Sequence, residues 1–431
     1  MSSESKDPGI TNLAQSILEN TKEVARYLQT SGIALPTFSP TAEALPTTPD
    51  FQKLQARLRT QLEDLQLLVE GPPRFYRYFL TRGYDLGVFQ TALDFGFFTL
   101  VPPEGDIALK ELASQAGLDP DRTGRMMRLL ITQRFFQENR PGFFAHNSFS
   151  IALQRDEDMR SMVHMSFDEM LKACAEAGAA IKANPFKTDG VHCPFYARFG
   201  VPVYDYFEKY PENSGRFAKA MAGWRKMANA TAELTDNYPW ANIEGTVVDI
   251  GGGSGHVSME MAQLFPHLKF AVQDCDESVL AEGQQLLSDD IRDRISFTKT
   301  NFFEPQRFLG ASVYLLRQCT CNWVDHDIVT IFKSVVPGLE SSDPNTPLLI
   351  NDMIIPEPGS EVERLWERER RQVDITMLML FGAKQRTVAE FKTLLKEADT
   401  RYVIRKVHEQ GALGLLEVYL DRGDGVNNIA S

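Results

Sequence analysis

The stretch Val247-Val248-Asp249-Ile250-Gly251-Gly252-Gly253-Ser254-Gly255 decides how this chain is read. A short apolar run feeds a glycine-rich turn, and His256–Phe265 then continues with helical periodicity. Glycine accepts left-handed backbone and lets the chain approach a ligand closely, while a helix N-terminus turns free N–H groups toward it. Asp274 closes the next apolar run, Lys269–Gln273. A carboxylate at that strand end suits two ribose hydroxyls. Loop, helix and acidic strand end in this order point to a nucleotide-type cofactor. The turn is not G-x-G-x-x-G, and it lacks the Gly-Lys-Ser/Thr of a P-loop.

Outward from this turn, apolar β-rich runs alternate with helical segments: Thr246–Ile250, Lys269–Gln273, Ile295–Thr298, Ala311–Leu316, Pro347–Ile350, Tyr402–Val407 and Gly414–Leu420. That alternation predicts a doubly wound, mostly parallel α/β sheet. Upstream the grammar is helical. Leu54, Leu58, Leu62, Leu65 and Leu68 form a stripe at threes and fours, and a dense apolar stretch covers Phe89–Leu100. Ala108–Gly117, the turn Leu118–Asp121 and a helix through Met126–Ile131 follow. Short strands at Phe135–Gln137 and Gly142–Ala145, separated by Glu138–Pro141, complete a winged-helix-like module. Residues 34–50 hold four prolines and read as a linker behind a helical arm at 10–31. The expected partition is therefore arm and linker 1–50, helical domain 51–200, cofactor domain 201–421 and a flexible tail 422–431.

Of 431 residues, 43% are hydrophobic, and 45 Lys and Arg against 58 Asp and Glu give a net charge of −13. That composition excludes a largely disordered chain, and the acidic balance argues against nucleic acid as a partner. No apolar run reaches the roughly 18 residues of a membrane span. Met1–Asp7 lacks the pattern of a signal peptide. Five scattered cysteines and seven dispersed histidines form neither a disulfide framework nor a metal-ligand spacing, so a cytoplasmic location and no metal are expected.

Several stretches together resemble the fungal and plant-type (caffeate O-methyltransferase-like) branch of class I S-adenosylmethionine-dependent O-methyltransferases. They are Asp249–Gly255, Asn301-Phe302-Phe303, Tyr314–Arg317, Asn322-Trp323-Val324-Asp325, Asn351–Pro356, Asp374–Leu380, Gln385-Arg386-Thr387 and, upstream, Tyr204–Glu212 with Phe217–Met221. The resemblance runs from about residue 80 to 420. It implies a Rossmann-like methyltransferase domain, a winged-helix-containing N-terminal domain that builds a homodimer, and S-adenosyl-L-methionine or S-adenosyl-L-homocysteine as cofactor. Carried over by position, Gly251 and Gly253 would flank the methionine portion and Asp274 would hold the ribose. Asn301 and Phe302 would contact the adenine, Arg317 would stand near the adenosine, and Trp323 would help close that pocket.

The family's catalytic motif is altered. Where it places a base histidine, this chain has Cys321, followed by Asn322; the two supporting carboxylates fall on Asp352 and Gln385. A thiol with an ordinary pKa near 8.5 is mostly protonated at neutral pH, so Cys321 reads as a small buried residue more readily than as a base. His326 should point to solvent. Other candidates for chemistry are His164, on the helix that roofs the substrate pocket in the family, and Thr235, on the last helix before the glycine turn. Met221, Trp224, Met377, Met379 and Gln385 would line a pocket for an apolar small molecule. Loss of the base beside a retained cofactor loop resembles the non-methylating pericyclase branch. That branch rearranges a polyketide–pyridone quinone methide with the cofactor retained. The alternatives are an active O-methyltransferase on a phenolic or enolic acceptor, and a non-catalytic cofactor-binding regulator.

Overall fold

The computed structural model describes residues 9–228, 231–409 and 411–423. Met1–Asp7 and most of the expected tail, from Asp424 on, lie outside these. The chain forms two compact units, and neither is one continuous segment. Residues 1–172, 204–227 and 363–366 make the first; residues 173–203, 228–362 and 367–431 make the second. This differs from contiguous blocks at 51–200 and 201–421, because residues 204–227 rejoin the N-terminal body.

In the first unit, α1 (Ile10–Thr30) packs along α2 (Pro49–Asp94). Asn20 donates to Gln61, Gln61 donates to Ser16, and the rings of Tyr27 and Phe51 lie 5.5 Å apart. Gly71, at φ 64° and ψ 167°, breaks the helical backbone of α2 ahead of Pro72 and Pro73. The proline-rich segment after α1 is non-helical but tied down. Phe38 O accepts from Ser148 N at 3.0 Å, and the Arg134 guanidinium lies 4.9 Å from the Phe38 ring centre.

The predicted helix–turn–helix is present. Asp119 caps α3 (Pro120–Thr132) by accepting from Arg122 N, and Pro120 suits the first helical position. The hairpin is displaced from its expected place. β1 (Ile107–Ala108), β2 (Gln137–Arg140) and β3 (Phe143–Ala145) form a three-stranded sheet in the order β1-β3-β2. Phe135–Phe136 turn instead of extending, because Arg134 and Phe136 sit at φ 66° and 68°. Asn147 Nδ2 holds that turn by donating to the carbonyls of both residues. Phe89, Phe97, Phe98, Leu112, Met127 and Phe144 fill the core of this unit. Beyond the wing, α4 (Glu157–Met165) packs against α5 (Pro211–Ala228). Their approach needs Gly223, where a Cβ would lie 2.6 Å from Asp158 O.

The second unit carries a seven-stranded sheet: β4 (Gly245–Ile250), β5 (Leu268–Asp274), β6 (Ile295–Lys299), β7 (Val313–Arg317), β8 (Leu348–Asp352), β9 (Tyr402–His408) and β10 (Gly414–Leu420). Their order is β6-β5-β4-β7-β8-β10-β9. The first five are parallel, while β10 runs antiparallel to both β8 and β9. All seven predicted strands are found, each within about two residues, which bears out the α/β class. Helices α6 (Thr231–Asn237), α7 (His256–Leu264), α8 (Glu277–Leu286), α9 (Asp325–Glu340), α10 (Arg364–Phe381) and α11 (Val388–Ala398) accompany the sheet. Two apolar layers form, one around Val247, Phe270 and Leu315, the other around Val248, Leu316, Phe332 and Leu416. Successive residues of β4 and β7 thus face opposite layers, as a sheet covered on both faces requires. The order of the parallel strands reverses direction at β4, so the turn after β4 opens at a topological switch point.

Candidate functional site

The loop after β4 is built as its glycines require. Gly251, Gly253 and Gly255 have φ of 71°, 56° and 71°, a region that a side chain disfavours. At Gly252 a Cβ would lie 2.6 Å from the Asp249 carboxyl carbon. Asp249 is buried beneath the loop and accepts from Ser258 Oγ of α7 at 2.7 Å. Burial pushes its pKa up to about 6. Asp274, at the end of β5, accepts from Gly253 N and from Asp276 N, both at 3.0 Å. The predicted strand-end carboxylate therefore stands against the glycine loop.

Aromatic rings and a thiol border the same loop. A Cβ on Gly251 would lie 3.4 Å from Cys319 Sγ and 3.6 Å from the Phe302 ring. Trp323 meets Phe302 and Phe303 edge-on, at 5.7 and 4.9 Å between ring centres. Gly251, Gly253, Asp274, Phe302 and Trp323 are thus brought together. Asn301 Oδ1 accepts from Phe303 N at 3.1 Å and so fixes the turn that presents Phe302. Arg317 is 9% exposed and donates to Asn351 Oδ1, with Asp249, Asp352 and Glu233 as its charged surroundings. Its guanidinium is part of the buried sheet end.

The turn after β7 is held from beneath. Asp352 is buried at the end of β8, and its Oδ2 accepts from Thr320 N at 3.0 Å and Thr320 Oγ1 at 2.5 Å. Its Oδ1 is buried without a hydrogen-bond partner, and burial raises its pKa. Arg386 precedes α11 with a fully buried side chain. It donates to Thr320 O at 2.8 Å, Trp323 O at 2.8 Å, Lys384 O at 3.2 Å and Asp325 Oδ1 at 2.8 and 3.0 Å. Arg386 is the main residue that the motif pattern quoted without giving it a role. A carboxylate on the facing helix and carbonyls exposed by a short 3-10 turn are what a planar five-donor group can satisfy. Spacing alone does not reveal that meeting.

Cys321 sits in this turn, 7% exposed. Burial, then the neighbouring Asp352 and Cys319, push its thiol well above the ordinary cysteine range. It is not a base at neutral pH. The His326 side chain is 90% exposed, as the sequence predicted. Gln385 is buried, and its backbone N–H donates to Asp374 Oδ1 at 2.9 Å. Met379 is buried and Met377 half-buried on α10, both in the second unit with Gln385. Thr235 Oγ1, on α6, donates to Asp236 at 3.2 Å.

The remaining candidates belong to the first unit. His164 of α4 bonds through Nε2 to Asp94 Oδ1 of α2 at 2.8 Å. It borders a cavity of about 120 Å³ lined by Leu93, Phe98, Thr99, Arg160 and Ser161. Met221 is half-buried and Trp224 is 39% exposed on α5. Nearby, the buried Glu169 pairs with Arg216, and burial pushes its pKa up to about 7 against the pull of that cation.

A parallel sheet with a glycine cradle, an acidic strand end and aromatic cover at its switch point defines a nucleotide-cofactor enzyme of the α/β class. The chain belongs to the O-methyltransferase family. Residues 180–401 match the O-methyltransferase domain, and residues 84–156 match the O-methyltransferase dimerisation domain. It is 49% identical to O-methyltransferase sol2 of Alternaria solani over 412 residues, 96% of this chain and 95% of that one. It is 31% identical to chlorophenol O-methyltransferase of Trichoderma longibrachiatum, over 95% of this chain and 90% of the relative. Among solved structures, OxaC covers 95% of this chain and 100% of its own at TM-score 0.74 and 22% identity. LepI in complex with SAM does the same at TM-score 0.71 and 18% identity. These two likenesses concern the fold. The dimerisation domain supports a homodimer, and no helix among the described residues is long and apolar enough to cross a membrane.

The family's cofactor is S-adenosyl-L-methionine, and the residues present fit it. The loop glycines leave room where side chains would intrude. Asp274 offers a carboxylate for vicinal hydroxyls, and Phe302 with Trp323 offers aromatic cover for a base.

Proposed function

We propose that the protein transfers a methyl group to a hydroxyl oxygen of an apolar phenolic or enolic small molecule of fungal secondary metabolism. The observation that carries this reading is a glycine cradle beside an acidic strand end in a chain that is 49% identical to a fungal O-methyltransferase over 96% of its length. The similarity to a chlorophenol O-methyltransferase supports an aromatic or enolic acceptor. Asp274 binds the ribose, Gly251 and Gly253 bring backbone to the amino-acid portion, and Phe302 and Trp323 enclose the adenine. The bound cofactor supplies an electrophilic methyl on a sulfonium. The chain's own contribution is orientation. The Arg386 and Asp352 network fixes the turn beside the cradle, so reacting groups meet without a reorganisation cost.

A second reading is a pericyclic rearrangement with the cofactor retained. It is favoured by Cys321 and Gln385 at the positions where the family resemblance places a base and its supporting carboxylate. One experiment separates the two. Purified protein, cofactor and a panel of phenols and enols are incubated, and S-adenosylhomocysteine and products are quantified by mass spectrometry. Methyl transfer predicts equal amounts of S-adenosylhomocysteine and a product heavier by one methylene. An isomerised product with the cofactor intact would replace this reading by the second.

A further inference from the structure

We propose that the acceptor reaches the site already as an oxyanion. Its chemical class is then an enolised 1,3-dicarbonyl, a vinylogous acid, or a phenol acidified by electron-withdrawing groups. The inference rests on the methyl-transfer reading and gives that reading its substrate class.

The ground is the turn Gln318–Trp323, where every group able to take a proton is committed or unsuited. Cys321 is buried against Asp352 from β8 and Cys319 from its own turn, and Arg386 is the cation packed nearby. Asp352 spends Oδ2 on the backbone and hydroxyl of Thr320, and its Oδ1, though it has no hydrogen-bond partner, is buried out of reach of a substrate hydroxyl. Arg386 is saturated by the carbonyls of Thr320 and Trp323 and by Asp325. Asn322 and Gln385 are amides, which bind a proton only far below neutral pH. His326 points into solvent. A neutral hydroxyl attacking the methyl carbon needs its proton removed as the new bond forms, and this turn offers no acceptor.

An oxyanion removes the requirement. A lone pair on the acceptor oxygen forms the O–CH3 bond, and the S–CH3 bonding pair leaves with sulfur. Anion and sulfonium become neutral ether and neutral thioether, and no proton moves. A site closed to water then helps, because the charges shrink as the bond forms and the transition state needs less hydration than the separate anion and sulfonium.

The test uses the full-length protein, with kcat/KM measured from pH 5 to 9 for two acceptors of similar shape. One has a hydroxyl pKa near 5, the other is a simple phenol near 10. An ordinary phenol is ionised to roughly 0.1% at pH 7. The acidic acceptor is expected to show a flat profile above its own pKa and a solvent isotope effect near 1. The phenol is expected to be about 100- to 1000-fold slower at pH 7, rising about tenfold per pH unit. The double substitution Cys321→His with Gln385→Glu is expected to raise the phenol rate at least tenfold. A limb whose midpoint is the same for both acceptors, or a solvent isotope effect above about 2 with the acidic one, reports a protein base and overturns this inference alone. Absence of methylated product from every acceptor overturns the methyl-transfer reading, and this inference with it.

Discussion

Two neighbouring turns of the second unit follow opposite designs. The turn after β4 is open and backbone-rich: three left-handed glycines, a carboxylate pushed up to about 6 beneath them, and Asp274 at the side. The turn after β7 is closed and side-chain-rich: Asp352 and Arg386 hold Thr320 from two sides, and Cys321 is buried beside them. The first is held by backbone donors to Gln273 and Asp274 and carries no side chain on its glycines, whereas the second is filled by side chains that bind the turn itself. A site can therefore keep the machinery that binds a cofactor while the machinery that moves a proton is rebuilt as structure. The two are separable because they hang on different strands.

That contrast is broken most strongly at Arg386. Arg386→Met leaves the buried Thr320 carbonyl and two part-buried carbonyls without this donor and Asp325 with Lys384 alone, and about 2–3 kcal/mol of stability should be lost. Urea unfolding measures it; a loss below about 1 kcal/mol would mean the turn does not depend on this latch. Next comes Asp274→Ala, which removes a charged acceptor from the cofactor side. It should weaken cofactor binding about 100-fold by calorimetry, with the far-ultraviolet spectrum unchanged. Gly252→Ala forces a methyl against the Asp249 carboxyl and should cost about 1–3 kcal/mol of stability. A neutral result there would show that the loop can shift.

The smallest effect sharpens the comparison by pH. Asp249 is raised to about 6 from 3.8 by burial, so its proton is held more tightly folded than unfolded. Its contribution to stability is therefore fully present below pH 3.8 and is lost as pH rises through about 6. Asp249→Asn keeps an acceptor for Ser258 and carries no charge. Its melting temperature should gain on wild type by about 2–4 °C more at pH 7.5 than at pH 5. An equal difference at both pH values would place the carboxylate in a wetter setting.

Much of the second unit was legible before any coordinates. Its strands are apolar on both faces and punctuated by glycine and proline, so Val247, Phe270 and Leu348 mark their strands without tertiary information. The wing was less so. Arg134 and Phe136 adopt left-handed backbone while Asn147, thirteen and eleven residues on, donates its amide N–H to their carbonyls and caps the next helix with its amide oxygen. Periodicity also says which face of residues 211–228 is apolar, but not which body that face joins. Cys321 could be placed by motif, while its pairing with Asp352 needed the fold. Arg386 was hidden most completely: an arginine between Gln385 and Thr387 reads as surface, and only the arrival of Asp325 and two stray carbonyls explains its burial.

The thiols make one further use of this architecture. Cys174 and Cys275 are exposed, while Cys193, Cys319 and Cys321 are buried. A cysteine reagent should therefore titrate two groups quickly. Two of the three slow ones lie in the turn that Arg386 fastens, so their labelling rate is a clock for its opening. The latch could be timed residue by residue in the intact protein, with no reporter added to the chain.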